Sequence, residues 1–488
     1  MQFVSTATNQ QKVSFKHTLC HPIPSPGHLW MPEKISCVQF PPKDCDLKEF
    51  VHCVMSVFAP GIWRKDMLDN FAMPLALTPK TFRNRDAFEL ELFHGPTEAF
   101  KDVGCFVAAQ VYKELFDPEK YRVIVATSGD TGGAVAHAFS KTNGLPVTIL
   151  YPMNRISPYQ ERQIVHVPDP YHRIIPATID GDFDQCQTIA KDTLMKYPNT
   201  ISSNSISLAR LLPQIAYHAW CAAQFDDPVT LIVPSGNMGN ACSAIMAKQM
   251  GANIRSIHIA CNENDSVERF INHKDTGYRP KTTVQTLATA MDVGKPSNFI
   301  RLRHLVNLKT CEYITASRTG NNDIQTIQNE MNCCPHTAIG YHASLFVNDR
   351  PIVVLATASP KKFIERSSSP LYVCRTVQTH HLHLSKYNLV WLVGLKGFIA
   401  TLNVPEWSGQ SEGVFTLSSF NDWENVEVMQ REGIFVYLCR DPTGDSELTK
   451  EHRWFHRRWF LSSTFVIPES VENTQVRSIV RKIIGKNF

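Results

Sequence analysis

The sequence predicts an α/β fold with parallel sheets flanked by helices. Strand-like and helix-like runs alternate from about residue 100 to residue 260. Glycine-bearing loops, SGDTGG and PSGNMGN, sit where a strand-like run gives way to a helix-like one. The 488 residues are 43% apolar and 19% charged, a globular composition long enough for two or three domains.

The elements follow in order. Residues 1 to about 95 mix short apolar runs with prolines and form an N-terminal domain. The segment ELELFHGPTEAFKDVGCFVAAQVYKEL (89–115) passes through a turn, HGPT, into a helix beginning near Asp102. VIVAT, VTILYP, RIIPATI, LIVPSG and SIHIAC are strand candidates. AVAHAFSK, SPYQERQIV, FDQCQTIAKDTLMKY and ACSAIMAKQMG are the helices between them. In such sheets ligands bind at the carboxyl ends of the strands.

Near residue 366, RSSSP has linker composition, so the core spans 96–365 and a separate α+β module spans 370–488. That module carries the alternating runs FIATLNV, GVFTLSS, VEVMQ and GIFVYLC. It closes on a helix with Val476, Ile479, Val480, Ile483 and Ile484 on one face. The apolar window 387–404 is interrupted by Lys396 and two glycines, and reads as a strand pair rather than a membrane span. His380, His381 and His383 read as surface residues, and HRWFHRRWF (452–460) as an amphipathic element.

A net charge of +4 gives no reason to expect a nucleic acid partner. The N-terminus lacks a signal-peptide pattern. The 14 cysteines show no CxxC pair and no zinc spacing, which points to reduced thiols, a cytoplasmic setting and no metal site.

Three segments carry chemistry. Lys101 falls at a loop-to-helix junction. Partial desolvation there would lower its pKa and favour the neutral amine that Schiff-base chemistry needs; a lysine merely flanking a helix is the plainer alternative. The loop PSGNMGN (234–240) lets backbone N–H groups approach a phosphate at a helix N-terminus, although the pattern alone is weak. The loop TSGDTGG (127–133) either holds a carboxylate or is a helix cap with a tight turn.

Taken in order, these segments resemble the threonine synthases. The resemblance rests on ELFHGPTEAFKD, ATSGDTGGAVAHAF, IDGDFDQCQ, NSISLARLLPQ, VPSGNMGN, TLATAMDVGKPSN, PHTAIGYHA and VVLATASPKKF, and runs over residues 3 to about 365. It implies a two-lobed fold type II enzyme that uses pyridoxal 5'-phosphate. On that resemblance Lys101 is the Schiff-base lysine and acid–base group. Gly236, Asn237, Met238, Gly239 and Asn240 bind the cofactor phosphate, and Thr357 offers its hydroxyl to the pyridine nitrogen. Ser128, Asp130 and Thr131 face the substrate carboxylate. Arg155, Ser157, Asn204, Ser205 and Arg210, taken as a group, face the phosphate of O-phosphohomoserine.

The reaction implied is γ-elimination of phosphate followed by addition of water at the β carbon to give threonine, in a monomer or homodimer. A phospho-lyase giving 2-oxobutyrate is the first alternative, and a non-catalytic regulatory or interaction protein the second.

The sequence departs from the family in four places. The opening Ser5-Thr6-Ala7-Thr8 lacks the usual arginine. Met238 stands where phenylalanine is usual. Ser359 is placed to alter contacts near Thr357. The 120 or so residues after 365 have no counterpart in the resemblance.

Overall fold

The computed structural model describes residues 1–363 except 8–10, 172, 274–281 and 307–310, together with five strands beyond residue 373. The chain opens with β1 (Phe3–Ser5), α1 (Phe15–Cys20) and β2 (Trp30–Pro32), the two strands pairing antiparallel. Helix α2 (Leu47–Phe58) is capped by Asp46, whose carboxylate accepts the Glu49 N–H; Phe50, Val51, Val54 and Phe58 line its buried face. A hairpin follows, β3 (Ala76–Phe82) and β4 (Arg85–Glu91), turned by Arg83 and Asn84, both at positive φ.

The first lobe then alternates as the sequence predicts. Its elements are α3 (Lys101–Leu115), β5 (Arg122–Ala126), α4 (Asp130–Ser140), β6 (Val147–Pro152), α5 (Pro158–Val165), β7 (Ile174–Ile179), α6 (Phe183–Lys196) and β8 (Thr200–Ser202). Its four strands are all parallel, in the order β7-β6-β5-β8.

The second lobe continues with α7 (Leu208–Leu211), α8 (Ile215–Ala223), β9 (Val229–Pro234), α9 (Gly239–Gln249), β10 (Ile254–Cys261), α10 (Ser266–Asn272), α11 (Phe299–Leu305), β11 (Ile314–Arg318), α12 (Asn321–Met331), α13 (Pro335–Ser344) and β12 (Ile352–Ala356). Its sheet has the order β11-β10-β9-β12-β4-β3, parallel except for the edge strand β3. β6, β9 and β12 are buried along their whole length, as strands covered on both faces must be. The hairpin 76–91 thus belongs to the second lobe's sheet, although a boundary at residue 95 groups it with the N-terminal domain.

Beyond residue 373, β13 (Cys374–Arg375), β14 (Leu389–Gly394), β15 (Phe398–Leu402), β16 (Val414–Leu417) and β17 (Phe435–Cys439) pair in the order β13-β17-β14-β15-β16. The window 387–404 holds the antiparallel pair β14 and β15, with Val390 opposite Leu402 and Gly394 opposite Phe398. VEVMQ, His380, His381, His383, HRWFHRRWF and the closing helix lie outside the described residues. Among the described residues no helix is long and apolar enough to cross a membrane.

Candidate active site

A cavity opens at the carboxyl ends of strands from both sheets. Ala126 ends β5, Pro234 ends β9, Asn204 follows β8 and Thr357 follows β12, and all four line it. Lys101 enters from the start of α3. Its position is set by the turn before it. The Phe100 N–H donates to the Thr357 carbonyl at 3.0 Å, and Asp102 accepts the Thr97 N–H at 2.9 Å and the Thr97 hydroxyl at 2.5 Å. Burial, opposed by those bonds, pushes the Asp102 carboxyl up to about 6.

The Lys101 side chain is only 16% exposed. Burial lowers its pKa; Asp130, 3.2 Å away, opposes this, and Lys362 and Arg210 add to it. The amine is therefore neutral more often than an ordinary lysine.

The loop after β9 forms a cradle. A Cβ on Gly236 would stand 2.7 Å from the Met291 Cα, so only glycine fits there. Met238 adopts the left-handed conformation with φ 61°, costing about 1 kcal/mol for a side-chain-bearing residue, and α9 begins at Gly239. Asn237 is turned aside: its Oδ1 accepts the Ser297 N–H at 2.5 Å and its Nδ2 donates to Ser205 Oγ at 3.1 Å. Asn298 donates to the same Ser205 hydroxyl at 2.8 Å and to the Asn237 carbonyl at 2.9 Å.

Beneath this network lies Arg301, fully buried. It donates to the carbonyls of Trp30, Ser205 and Ile206 and to Asn298 Oδ1, at 2.6–3.1 Å. Burial lowers its pKa to about 10, with Cys242 opposing the shift.

In the loop after β5, Thr127 accepts the N–H groups of Gly129 and Gly132, so the cap comes from Thr127. Gly129 sits at φ 129°, a conformation open to glycine. Ser128 and Thr131 line the cavity. Asp130 lines it too, but its oxygens are occupied by Lys101, Lys362 and Gln160. Burial would raise its pKa; Lys362, Lys101 and His336 outweigh that and hold it well below the usual carboxylate range.

The five residues grouped around the substrate phosphate divide. Ser205 and Arg210 line the cavity. Asn204 also lines it, but its amide is spent on the Ala126 N–H and carbonyl at 2.9 and 2.5 Å. Arg155 and Ser157 do not line it. Arg155 is exposed, and Ser157 caps α5 while donating to the Lys362 carbonyl at 2.8 Å. Serine before a helix serves a cap as readily as an anion, and here the cap prevails. Ser359 lines a different cavity, with Glu98 and Lys361, and so does not bear on Thr357's ring contacts.

Two residues, one on the cavity wall and one behind it, carry no mark in the sequence. His336, at the start of α13, lines the cavity, and the Ala290 N–H donates to its Nε2 at 3.2 Å. The neutral ring therefore carries its proton on Nδ1, which has no protein acceptor. Lys362 is buried behind Asp130. No local spacing marks either residue.

Burial lowers the His336 pKa to about 4. A histidine kept neutral in the fold and free to protonate in the unfolded chain stabilises the fold above pH 6.5. That contribution fades as pH falls toward 4, by about 3 kcal/mol. Urea unfolding of His336→Gln should therefore weaken less between pH 7 and pH 4.5 than that of the parent chain. Parallel losses would refute a neutral His336.

Three residues on the cavity wall hold buried donors with no protein acceptor among the described residues: Arg210 Nε, Asn240 Nδ2 and His336 Nδ1. With the cradle at Gly236, the helix start at Gly239 and an amine of lowered pKa at Lys101, the wall fits a phosphorylated aldehyde such as pyridoxal phosphate.

The sequence profile of the family described as "Pyridoxal-phosphate dependent enzyme" matches residues 80–350. Threonine synthase of Serratia marcescens is 37% identical over 294 residues, covering 57% of this chain and 67% of its own length. The crystal structure of threonine synthase from Escherichia coli superposes with TM-score 0.66 at 30% identity, covering 74% of this chain and 89% of that one. The pyridoxal-phosphate-bound threonine synthase of Brucella melitensis gives 0.63 at 28% identity, covering 74% and 89%.

Proposed function

Because the chain belongs to the pyridoxal-phosphate-dependent enzymes, and among them to the threonine synthases, we propose that it converts O-phosphohomoserine and water to threonine and phosphate at the cavity around Lys101. The observation that carries this reading is the buried Lys101 amine, its pKa lowered by burial, on the same cavity wall as a glycine cradle and donors without a protein acceptor.

Pyridoxal phosphate, when bound, supplies an electron sink for charge developing at the substrate's α carbon. Gly236–Asn240 and the first turn of α9 would hold its phosphate, Lys101 would bond to its aldehyde carbon, and the Thr357 hydroxyl would meet its ring nitrogen. Lys101 Nζ, when not bonded to the cofactor, would take the α proton and later deliver protons along the substrate chain. Asp130 Oδ2 orients that amine. Ser128 and Thr131 offer donors to the substrate carboxylate. Arg210 provides the fixed charge for the departing phosphate, with Ser205 beside it. The cavity walls from both lobes limit stray water, which favours addition of one water at the β carbon over loss of the amine as 2-oxobutyrate and ammonia.

The purified full-length chain should release threonine and phosphate in equal amounts from O-phosphohomoserine. Release of 2-oxobutyrate and ammonia in place of threonine would identify a phospho-lyase, and no phosphate release would identify a non-catalytic chain.

Gly236→Val should weaken pyridoxal phosphate binding roughly 10- to 100-fold, because the new side chain must displace the Met291 backbone. Fluorescence titration of apoprotein measures this. An unchanged affinity would move the phosphate seat elsewhere.

A further inference from the structure

Lys101 has a second lysine at its back for which the reaction above has no role. Lys362 lies in the helical turn Pro360–Phe363 and is fully buried. Its ammonium stands 2.8 Å from Asp130 Oδ1 and donates to the Thr97 carbonyl at 2.8 Å. The other oxygen of Asp130 faces Lys101 at 3.2 Å. One carboxylate thus lies between two ammonium groups, out of water. Gln160 donates to Oδ1 at 2.9 Å, and the Ser157 hydroxyl fixes the Lys362 backbone. Thr97 in turn holds Asp102, the neighbour of Lys101.

Burying a second cation against a single carboxylate is costly. The arrangement gains a purpose once Lys101 is bonded to the cofactor, because Asp130 then loses one of its two cationic partners and keeps the other. We infer that Lys362 is a positioning residue for the reaction: it clamps Asp130 to Thr97 and remains its partner while Lys101 is engaged, so that an ionised carboxylate waits in place for the Lys101 amine each time it is freed.

This rests on the reading of Lys101 as the Schiff-base lysine. The charged and titratable groups around the cluster are Asp102, Cys105 and Arg210 on the Lys101 side, and His336 and Cys334 on the Asp130 side. The Lys362 charge disfavours protonation of Lys101. The Lys362 charge also lowers the pKa of Asp102, His336 and Asp130.

The test uses full-length apoprotein mixed with pyridoxal phosphate and borohydride across a pH series. The trapped Lys101 adduct is counted by peptide mass spectrometry. Lys362→Gln keeps donors for both acceptors and drops the charge. Its half-maximal pH for trapping should rise by about one unit, which is about tenfold less adduct per unit time at a pH below both midpoints. Lys362→Arg keeps the charge and should keep the parent midpoint. A midpoint unchanged in Lys362→Gln, even with a lowered melting temperature, overturns the inference and leaves Lys362 a structural residue. So does a raised midpoint in Lys362→Arg, which serves alone if Lys362→Gln does not fold. Failure of the parent chain to trap at Lys101 at any pH would instead overturn the reading of Lys101 itself.

Discussion

Lys101→Ala is expected to lose pyridoxal phosphate on dialysis and to release phosphate from O-phosphohomoserine at least about 10³-fold more slowly than the parent chain. The size of the effect follows from two roles resting on one atom, the bond to the cofactor and the transfer of protons. No neighbour can substitute. Lys362 is fully buried, committed to Asp130 and the Thr97 carbonyl, and held on the far side of the carboxylate. The fold should tolerate the change, since Asp130 keeps Lys362 and Gln160 as partners. Visible absorbance after dialysis, phosphate release and a thermal melt measure the three parts separately. A variant that keeps both the bound chromophore and the activity would place the chemistry on another residue.

Arg210→Met is expected to lower kcat/KM for O-phosphohomoserine roughly 10²- to 10³-fold. The guanidinium is buried, donates to the Ser203 carbonyl at 2.5 Å through Nη1, and leaves Nε without an acceptor. A phosphate dianion meeting such a group gains charge-assisted hydrogen bonds of about 1.5–3 kcal/mol each. Most of the loss should appear in KM if the contact is made equally before and during phosphate departure, and in kcat if it strengthens as the bond breaks. Arg210→Lys should not rescue, because one ammonium on a flexible stem does not reproduce a planar guanidinium anchored at Ser203. Steady-state kinetics on both variants decides the matter. A lysine variant as active as the parent would mean that charge alone suffices.

Much of this was legible in the sequence where one local pattern had one physical meaning. The run VTLIVP leads into glycines and then a helix, and it became β9, the cradle and α9. Lys101 at the mouth of a helix was legible for the same reason. Residues with two local uses are less legible. Ser157 and Asn204 are polar residues in loops, the types that bind phosphate and also the types that cap helices and mimic a strand partner. Their structural uses are settled by Gln160 and by the Ala126 backbone. His336 and Lys362 were illegible for a different reason. Each comes from a segment remote from Lys101, His336 to the cavity wall and Lys362 to the back of Asp130, and only the packing of the two sheets brings them together.

Arg301 has a consequence for inheritance. Its guanidinium ties Trp30, near the start of the chain, to Ser205, Ile206 and Asn298, and so to the seat beneath the glycine cradle. Trp30 lies outside the stretch that matches the family profile, which begins at residue 80. The proposed cofactor seat is therefore not a cassette that could be cut at residue 80 or 95 and moved into another gene intact. Its foundation is laid by the first turns of the chain, and those turns would have to travel with it.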